Sequence, residues 1–222
     1  MADIKVIQDL ARTLNLQNIA SGIIDLNDET ISNKDYLYKV LLEEVNIRKK
    51  NKLKDLKQMS RLKPLVFDEL RISDGLKWQL SRIKEMDFNE TRENIIIVGD
   101  CSTGKTSLAT TIGNCAIDKG TKVVYVTQEE LLVESKIKKK TWNNILIADM
   151  VIVDDMFYLT PSEEELIQVY KLLMFLQETR SIILVTNRPL SSWKNMNIDT
   201  HIVETLAKRL MQDAQIWTGY SC

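Results

Sequence analysis

Residues 99–107 read Gly99-Asp100-Cys101-Ser102-Thr103-Gly104-Lys105-Thr106-Ser107, and the first eight match the pattern G-x-x-x-x-G-K-[ST]. These residue types at this spacing suit phosphate chemistry. Glycine lets the backbone curl until successive N–H groups converge on one anion. A helix opening directly behind the loop adds the positive end of its dipole. The Lys105 ammonium then reaches the β- and γ-phosphates, and the Thr106 hydroxyl ligates Mg²⁺. About fifty residues on, the apolar run Met150-Val151-Ile152-Val153 stops at Asp154-Asp155. A strand ending in two acids brings carboxylates to one edge of a sheet. Asp154 is expected to hold the magnesium shell, and Asp155 to orient or activate the attacking water. A third run, Ser181 to Thr186, ends in Asn187-Arg188-Pro189. Asn187 either positions that water against the γ-phosphate or occupies an ordinary turn before Pro189. Together these residues imply ATP and Mg²⁺ as cofactors.

Such chemistry needs a rigid sheet to converge these segments. From Ile95 onward, short β-branched runs alternate with helix-length segments: Ile95–Val98, Val123–Val126, Met150–Val153, Ile182–Val185 and a weaker run at Gln215–Thr218. Alternation of this kind predicts an α/β fold, with a five-stranded parallel sheet flanked by helices on both faces. Residues 1–62 read as helical instead. Leu10, Leu14 and Leu16 suggest a first short helix. Ser32 or Asn33 caps a second that starts near Asp35 and runs through Leu42, Val45, Leu53 and Leu56. Pro64 marks the expected boundary, which divides the chain into a helical region at 1–62 and a core at 63–222.

The 222 residues carry a net charge of −1, unevenly spread. Residues 1–47 hold −4, residues 48–63 hold +7 and residues 64–222 hold −4. So dense a basic block in a slightly acidic chain points to a polyanion, duplex DNA or RNA, or else to a solvated helix face. The block comprises Arg48, Lys49, Lys50, Lys52, Lys54, Lys57 and Arg61, with Lys63 at its end. A second cluster is Lys136, Lys138, Lys139 and Lys140, beside Trp142, which stacks on a base or packs in the core. Contacts from either cluster would fall on phosphates, so binding would ignore sequence and weaken with salt. One histidine, His201, excludes His-rich metal sites, and three cysteines without a C-x-x-C pair argue for a reducing, cytoplasmic setting. No apolar run approaches the roughly 18 residues of a membrane span.

GDCSTGKT, VIVDD and VTNRP, in that order, resemble the motifs of an AAA+ ATPase. More narrowly, residues 35–220 resemble the IstB/DnaC-like ATPases, and the basic helix LLEEVNIRKKNKLKDLKQMSRLK with NRPLSSW favours the IstB branch of insertion-sequence helpers. The resemblance implies a P-loop AAA+ core that assembles as a homo-oligomer with ATP between subunits. It also implies an arginine offered to the neighbour's γ-phosphate, here Arg209, with Lys208 as the competitor. The partners it implies are duplex DNA along the inside of the assembly and a transposase. A helicase loader that binds single-stranded DNA and a replicative helicase is the alternative, followed by a non-hydrolysing adaptor and a small-molecule kinase. Two departures stand out. The resemblance implies a helical lid with a sensor arginine after the fifth strand, whereas the sequence given ends at Gly219-Tyr220-Ser221-Cys222, so that sensor is expected to be absent or supplied elsewhere. Asp155 stands where many AAA+ proteins place glutamate, and the shorter acid suits a slow switch.

Overall fold

A computed structural model describes residues 4–24, 33–63, 79, 82–83, 86, 94–196, 199–212 and 214–219. The chain divides into two compact units, Met1–Asp55 and Leu56–Cys222. The division falls seven residues before the boundary expected at 62/63 (Pro64 and Trp78 lie outside the described residues).

The first unit holds helices α1 (Ile4–Thr13), α2 (Gln17–Ala20) and most of α3 (Asn33–Ser60). Its small core joins Ala11, Ile19, Ala20, Ile24 and Val40. Of the leucines that suggested the first helix, Leu16 follows α1 and packs partly buried against that core, whereas Leu10 and Leu14 do not. Leu10 and Leu14 are 60% and 68% exposed, and Ala11 is the residue of α1 that is buried. Leu42 and Val45 of α3 are likewise exposed, whereas Leu56 is buried. Glu44 is 2% exposed, and its Oε2 accepts the N–H groups of Asn18 and Ile19 at 3.1 and 3.2 Å. Those donors have no partner inside the first turn of α2, so a carboxylate from α3 completes that helix start.

The second unit is built on five strands: β1 (Asn94–Val98), β2 (Val123–Thr127), β3 (Met150–Asp154), β4 (Ser181–Thr186) and β5 (Ala214–Thr218). All pair in parallel, in the order β2-β3-β4-β1-β5. Each lies within one or two residues of the run expected from the sequence. The continuous apolar strands are covered on both faces, by α4 (Lys105–Asp118), α5 (Gln128–Ile137), α6 (Lys140–Ile147), α7 (Glu163–Thr179) and α8 (Thr200–Gln212). Ile95, Ile96, Ile97, Val151, Ile152 and Val153 are all essentially inaccessible. Burying each such side chain is worth about 1.5–3 kcal/mol. Hydrocarbon burial therefore holds the sheet, and the polar residues at its C-terminal edge are left for chemistry.

Two boxes of local capping set helix starts. Thr127 and Glu130 reciprocate at α5, and Ser162 and Glu165 at α7. Trp193, on a short 3₁₀ turn (Leu190–Asn195), is buried edge-to-face against Phe157, with ring centroids 4.7 Å apart. Trp217 is buried too, and Trp142 packs partly buried against the main core.

Candidate nucleotide site

The loop from Gly99 to Gly104 joins β1 to α4. Gly104 sits in the left-handed region at φ +87°, which glycine adopts without steric cost. A Cβ on Gly99 would lie 3.0 Å from Thr103 Oγ1 and 3.1 Å from the backbone of Gly219. The Gly219 N–H donates to Val98 O at 2.7 Å, so β5 runs tight against the base of the loop. Thr103 Oγ1 donates to Asp100 O at 2.9 Å, and Lys105 Nζ to the same carbonyl at 2.6 Å. The loop is thus closed on itself, with Lys105 only 9% exposed. Ser107 lines a cavity with Ser102, Gly104, Lys105 and Thr106, and its carbonyl accepts from Thr111 Oγ1 at 2.8 Å within α4.

β3 and β4 bring in the other groups, because both lie on the same side of β1 in the strand order. Cys101, Ser102, Lys105, Thr106, Asp154, Asp155, Thr186 and Asn187 line one cleft, with Tyr158 at its rim. Asp154 is 2% exposed and held from two directions. Its Oδ1 accepts the Asp155 N–H at 2.7 Å, and its Oδ2 accepts the Tyr125 hydroxyl at 2.8 Å. Asp155 is exposed and adopts φ +53°, an uncommon conformation for a residue with a Cβ. The following residues fix that turn. Met156 N–H donates to Val185 O at 2.9 Å, Phe157 N–H to Gln128 Oε1 at 2.9 Å, and Thr186 Oγ1 to Met156 O at 2.8 Å. Asn187 Nδ2 stands 3.9 Å from Cys101 Sγ, while Asn187 Oδ1 is buried without a partner among the described residues.

Burial and charge act against each other here. Burial lowers the Lys105 ammonium from its ordinary value, and the charges of Cys101, Asp154, Asp100 and Asp155 push it back up. Burial, then Asp154, raises the Asp155 carboxyl, with Lys105 opposing. Burial, then Asp154, holds the Tyr125 phenol well above its ordinary value, so it stays a hydroxyl donor.

The family model for IstB-like ATP binding proteins matches residues 9–218. The chain belongs to that family. It is 26% identical to a Bacteroides fragilis protein named as an insertion sequence IS21-like ATP-binding protein, over 96% of this chain and 86% of that one. It is 28% identical to the protein named for insertion sequence IS232 of Bacillus thuringiensis subsp. berliner, over 91% of this chain and 87% of that one. AMPPCP-bound DnaA from Aquifex aeolicus shares the fold, with a TM-score of 0.53 and 21% identity over 72% of this chain and 51% of that one. The AAA+ P-loop architecture and the IstB-like membership expected from the motifs are therefore those of the protein.

Other expected residues of this IstB-like protein stand outside the cleft. Arg209 lies on the exposed side of α8, with its guanidinium 5.9 Å from the centre of the Tyr170 ring and its carbonyl accepting from Gln177. Lys208 is exposed beside it. The basic residues from Arg48 to Arg61, on α3 and just after it, are exposed, but not all are uncommitted. Arg48 Nε donates to Glu44 Oε1 at 2.7 Å, Lys57 Nζ pairs with Asp118 at 3.3 Å, and Arg61 pairs with Glu130 at 2.7 Å. Among the described residues, Lys49, Lys50, Lys52 and Lys54 form no ion pair. Lys136, Lys138, Lys139 and Lys140 are exposed at the α5–α6 junction. No described helix is long and apolar enough to cross a membrane.

Sequence reasoning overlooked Tyr125, Gln128 and Tyr158 at this site. Tyr125 was legible in part, since a tyrosine between two buried valines of a strand must direct its hydroxyl to a polar partner. Which partner depends on strand order alone.

Proposed function

We propose that this protein is an ATP-dependent, DNA-binding AAA+ ATPase that self-assembles on duplex DNA and assists a transposase in choosing target DNA. One observation carries the nucleotide part of this reading. Lys105 and Thr106, Asp154 and Asp155, and Asn187 come from three separate segments and line a single cleft. Gly99, Asp100, Cys101, Ser102, Thr103, Gly104 and Ser107 supply the backbone of the phosphate loop.

The donor set fits magnesium. Among the described residues no cluster of three or more His, Cys, Asp or Glu is placed to hold a metal by itself. Magnesium keeps waters and phosphate oxygens and asks the protein for one or two ligands. Thr106 and Asp154 are the two residues that would hold it, and the ion would neutralise charge on the transferring phosphoryl group. Lys105 would exchange the Asp100 carbonyl for phosphate oxygens. Asp155 would orient the attacking water, and the buried, unpartnered Asn187 Oδ1 supplies an acceptor for one of that water's hydrogens.

Arg209 lies outside its own chain's cleft, which suits a guanidinium that acts on the cleft of a second copy. An arginine supplied in this way is worth about 10³–10⁵ in rate. Hydrolysis would accordingly depend on assembly. The exposed lysines of α3 and of the α5–α6 junction would contact phosphates of the duplex.

The test is DNA-binding anisotropy on matched duplex and single-stranded oligonucleotides, with a slowly hydrolysed ATP analogue and then ADP, across a salt series. Duplex preference that requires the ATP state supports the proposal. Preference for single strands would replace duplex with single-stranded DNA and transposase with helicase. Absence of binding to both at low salt would reject the DNA role and leave α3 as a surface for a protein.

A further inference from the structure

We infer that Tyr125 is a positioning residue for the nucleotide site, and that its hydroxyl holds the Asp154 carboxylate in the orientation a magnesium–nucleotide complex requires. The inference rests on the reading of Asp154 as part of the magnesium shell.

Strand pairing builds the contact. β2 and β3 run parallel, with Tyr125 opposite Ile152 and Thr127 opposite Asp154. Side chains alternate along a strand, so Tyr125, Ile152 and Asp154 share one face. Tyr125 must therefore reach diagonally to Asp154, one strand across and two residues along, a separation of about 8 Å between backbones. A phenol spans that diagonal and delivers its hydroxyl to Oδ2 at 2.8 Å. The other oxygen is oriented by the chain itself, through the Asp155 N–H at 2.7 Å. Backbone and side chain thus hold the two oxygens from different directions. Removal of the hydroxyl leaves Oδ2 of a carboxylate that is only 2% exposed without its side-chain donor. The carboxylate is then held at Oδ1 by the Asp155 N–H but no longer fixed at Oδ2, and the orientation offered to a cation is loosened. Phenylalanine keeps the ring, so a purely packing role predicts no change.

Partners of this kind, one step behind a metal ligand, typically cost 10–100-fold in metal affinity when removed. The experiment titrates Mg²⁺ into the intact protein and follows the affinity for a fluorescent, slowly hydrolysed ATP analogue, starting from EDTA. For Tyr125→Phe, the expected result is unchanged affinity without Mg²⁺ and a rise of about 10–100-fold in the Mg²⁺ needed to tighten binding. Asp154→Asn should shift the Mg²⁺ requirement as well, and the double variant should shift little further, because the tyrosine acts through that carboxylate. Melting of each variant without nucleotide reports the fold separately.

A Tyr125→Phe protein that titrates like the wild type, beside a shifted Asp154→Asn, would overturn the inference and leave the magnesium reading of Asp154 intact. If Asp154→Asn also titrates like the wild type, the magnesium reading fails and the inference falls with it. Additive losses in the double variant, or equal loss with and without Mg²⁺, would show that the hydroxyl shapes the cleft by another route and would equally overturn it.

Discussion

The C-terminal edge of the sheet and the long helix α3 both carry dense charge, and they organise it in opposite ways. At the sheet edge Lys105 and Asp154 are buried, and each has protein hydrogen-bond partners at 2.6–2.8 Å. From Arg48 to Arg61, on α3 and just beyond it, the basic side chains are exposed, and three of them meet carboxylates drawn from distant parts of the sequence or from the preceding turn. In the interior a charge interacts strongly and its position matters to a fraction of an ångström. At the surface the same charge is screened by salt, and its ion pairs are worth about 0–1 kcal/mol. A site for directed chemistry needs the first arrangement. A surface that tracks a polyanion needs only the second.

The sharpest way to break this comparison is at Asp155. Asp155→Asn should retain nucleotide affinity and lose turnover by about 10²–10⁴-fold, the usual worth of a positioned base. A variant that still hydrolyses at the wild-type rate in a phosphate-release assay would remove Asp155 from the chemistry. Lys105→Ala should lose about 100-fold in nucleotide affinity by equilibrium titration, as expected for charged hydrogen bonds to phosphate. Its melting temperature without nucleotide should stay close to the wild type, because the lysine's one observed partner is a carbonyl of its own loop.

The surface side of the comparison is read from salt. Replacing Lys49, Lys50, Lys52 and Lys54 together by alanine should lower the slope of log K against log salt by up to about 3.6 for duplex DNA. Lys57→Ala with Arg61→Ala should lower it by less than half as much, because those cations already face Asp118 and Glu130. Equal change per residue would show that the internal ion pairs do not compete with DNA.

Glu44→Gln should destabilise the helical unit by about 1–3 kcal/mol, since a buried carboxylate that serves two N–H groups and Arg48 loses part of its bonding. Hydrogen exchange at Asn18 and Ile19 would report the loss locally. The smallest effect is expected at the start of α7, where Ser162→Ala should cost about 1 kcal/mol. Hydrogen bonds from the Ser162 backbone and side chain lower the Glu165 carboxyl below its ordinary value. A lowered acid stabilises the fold above its unfolded value near 4.5 and loses that contribution as pH falls through its folded value. The deficit of Ser162→Ala should therefore be largest at neutral pH and shrink on acidification, as followed by denaturant melts.

Legibility followed the same division. The strands could be read because burial on both faces demands unbroken β-branched runs, as in Ile95–Val98 and Met150–Val153. The phosphate loop could be read because its geometry is local, made by glycines and the first turn of one helix. The helical region was read less well. Leu10 and Leu14 suggested a short helix, yet Ala11 is what α1 buries. Periodicity reports that a helix has an apolar face, but not which neighbour covers it.

The sequence by itself determined the P-loop, the acids at the end of β3, the order of strand and helix, and the concentration of positive charge on α3. Each of these depends on residues close together in the chain. Only the tertiary structure decided that Tyr125 grips Asp154, that Gln128 anchors the turn after Asp155, that Glu44 completes α2, and that Arg48, Lys57 and Arg61 meet carboxylates while, among the described residues, four lysines between them do not. These contacts join residues that strand register and helix packing bring together, and both are settled by burial of the whole apolar surface rather than by any local motif.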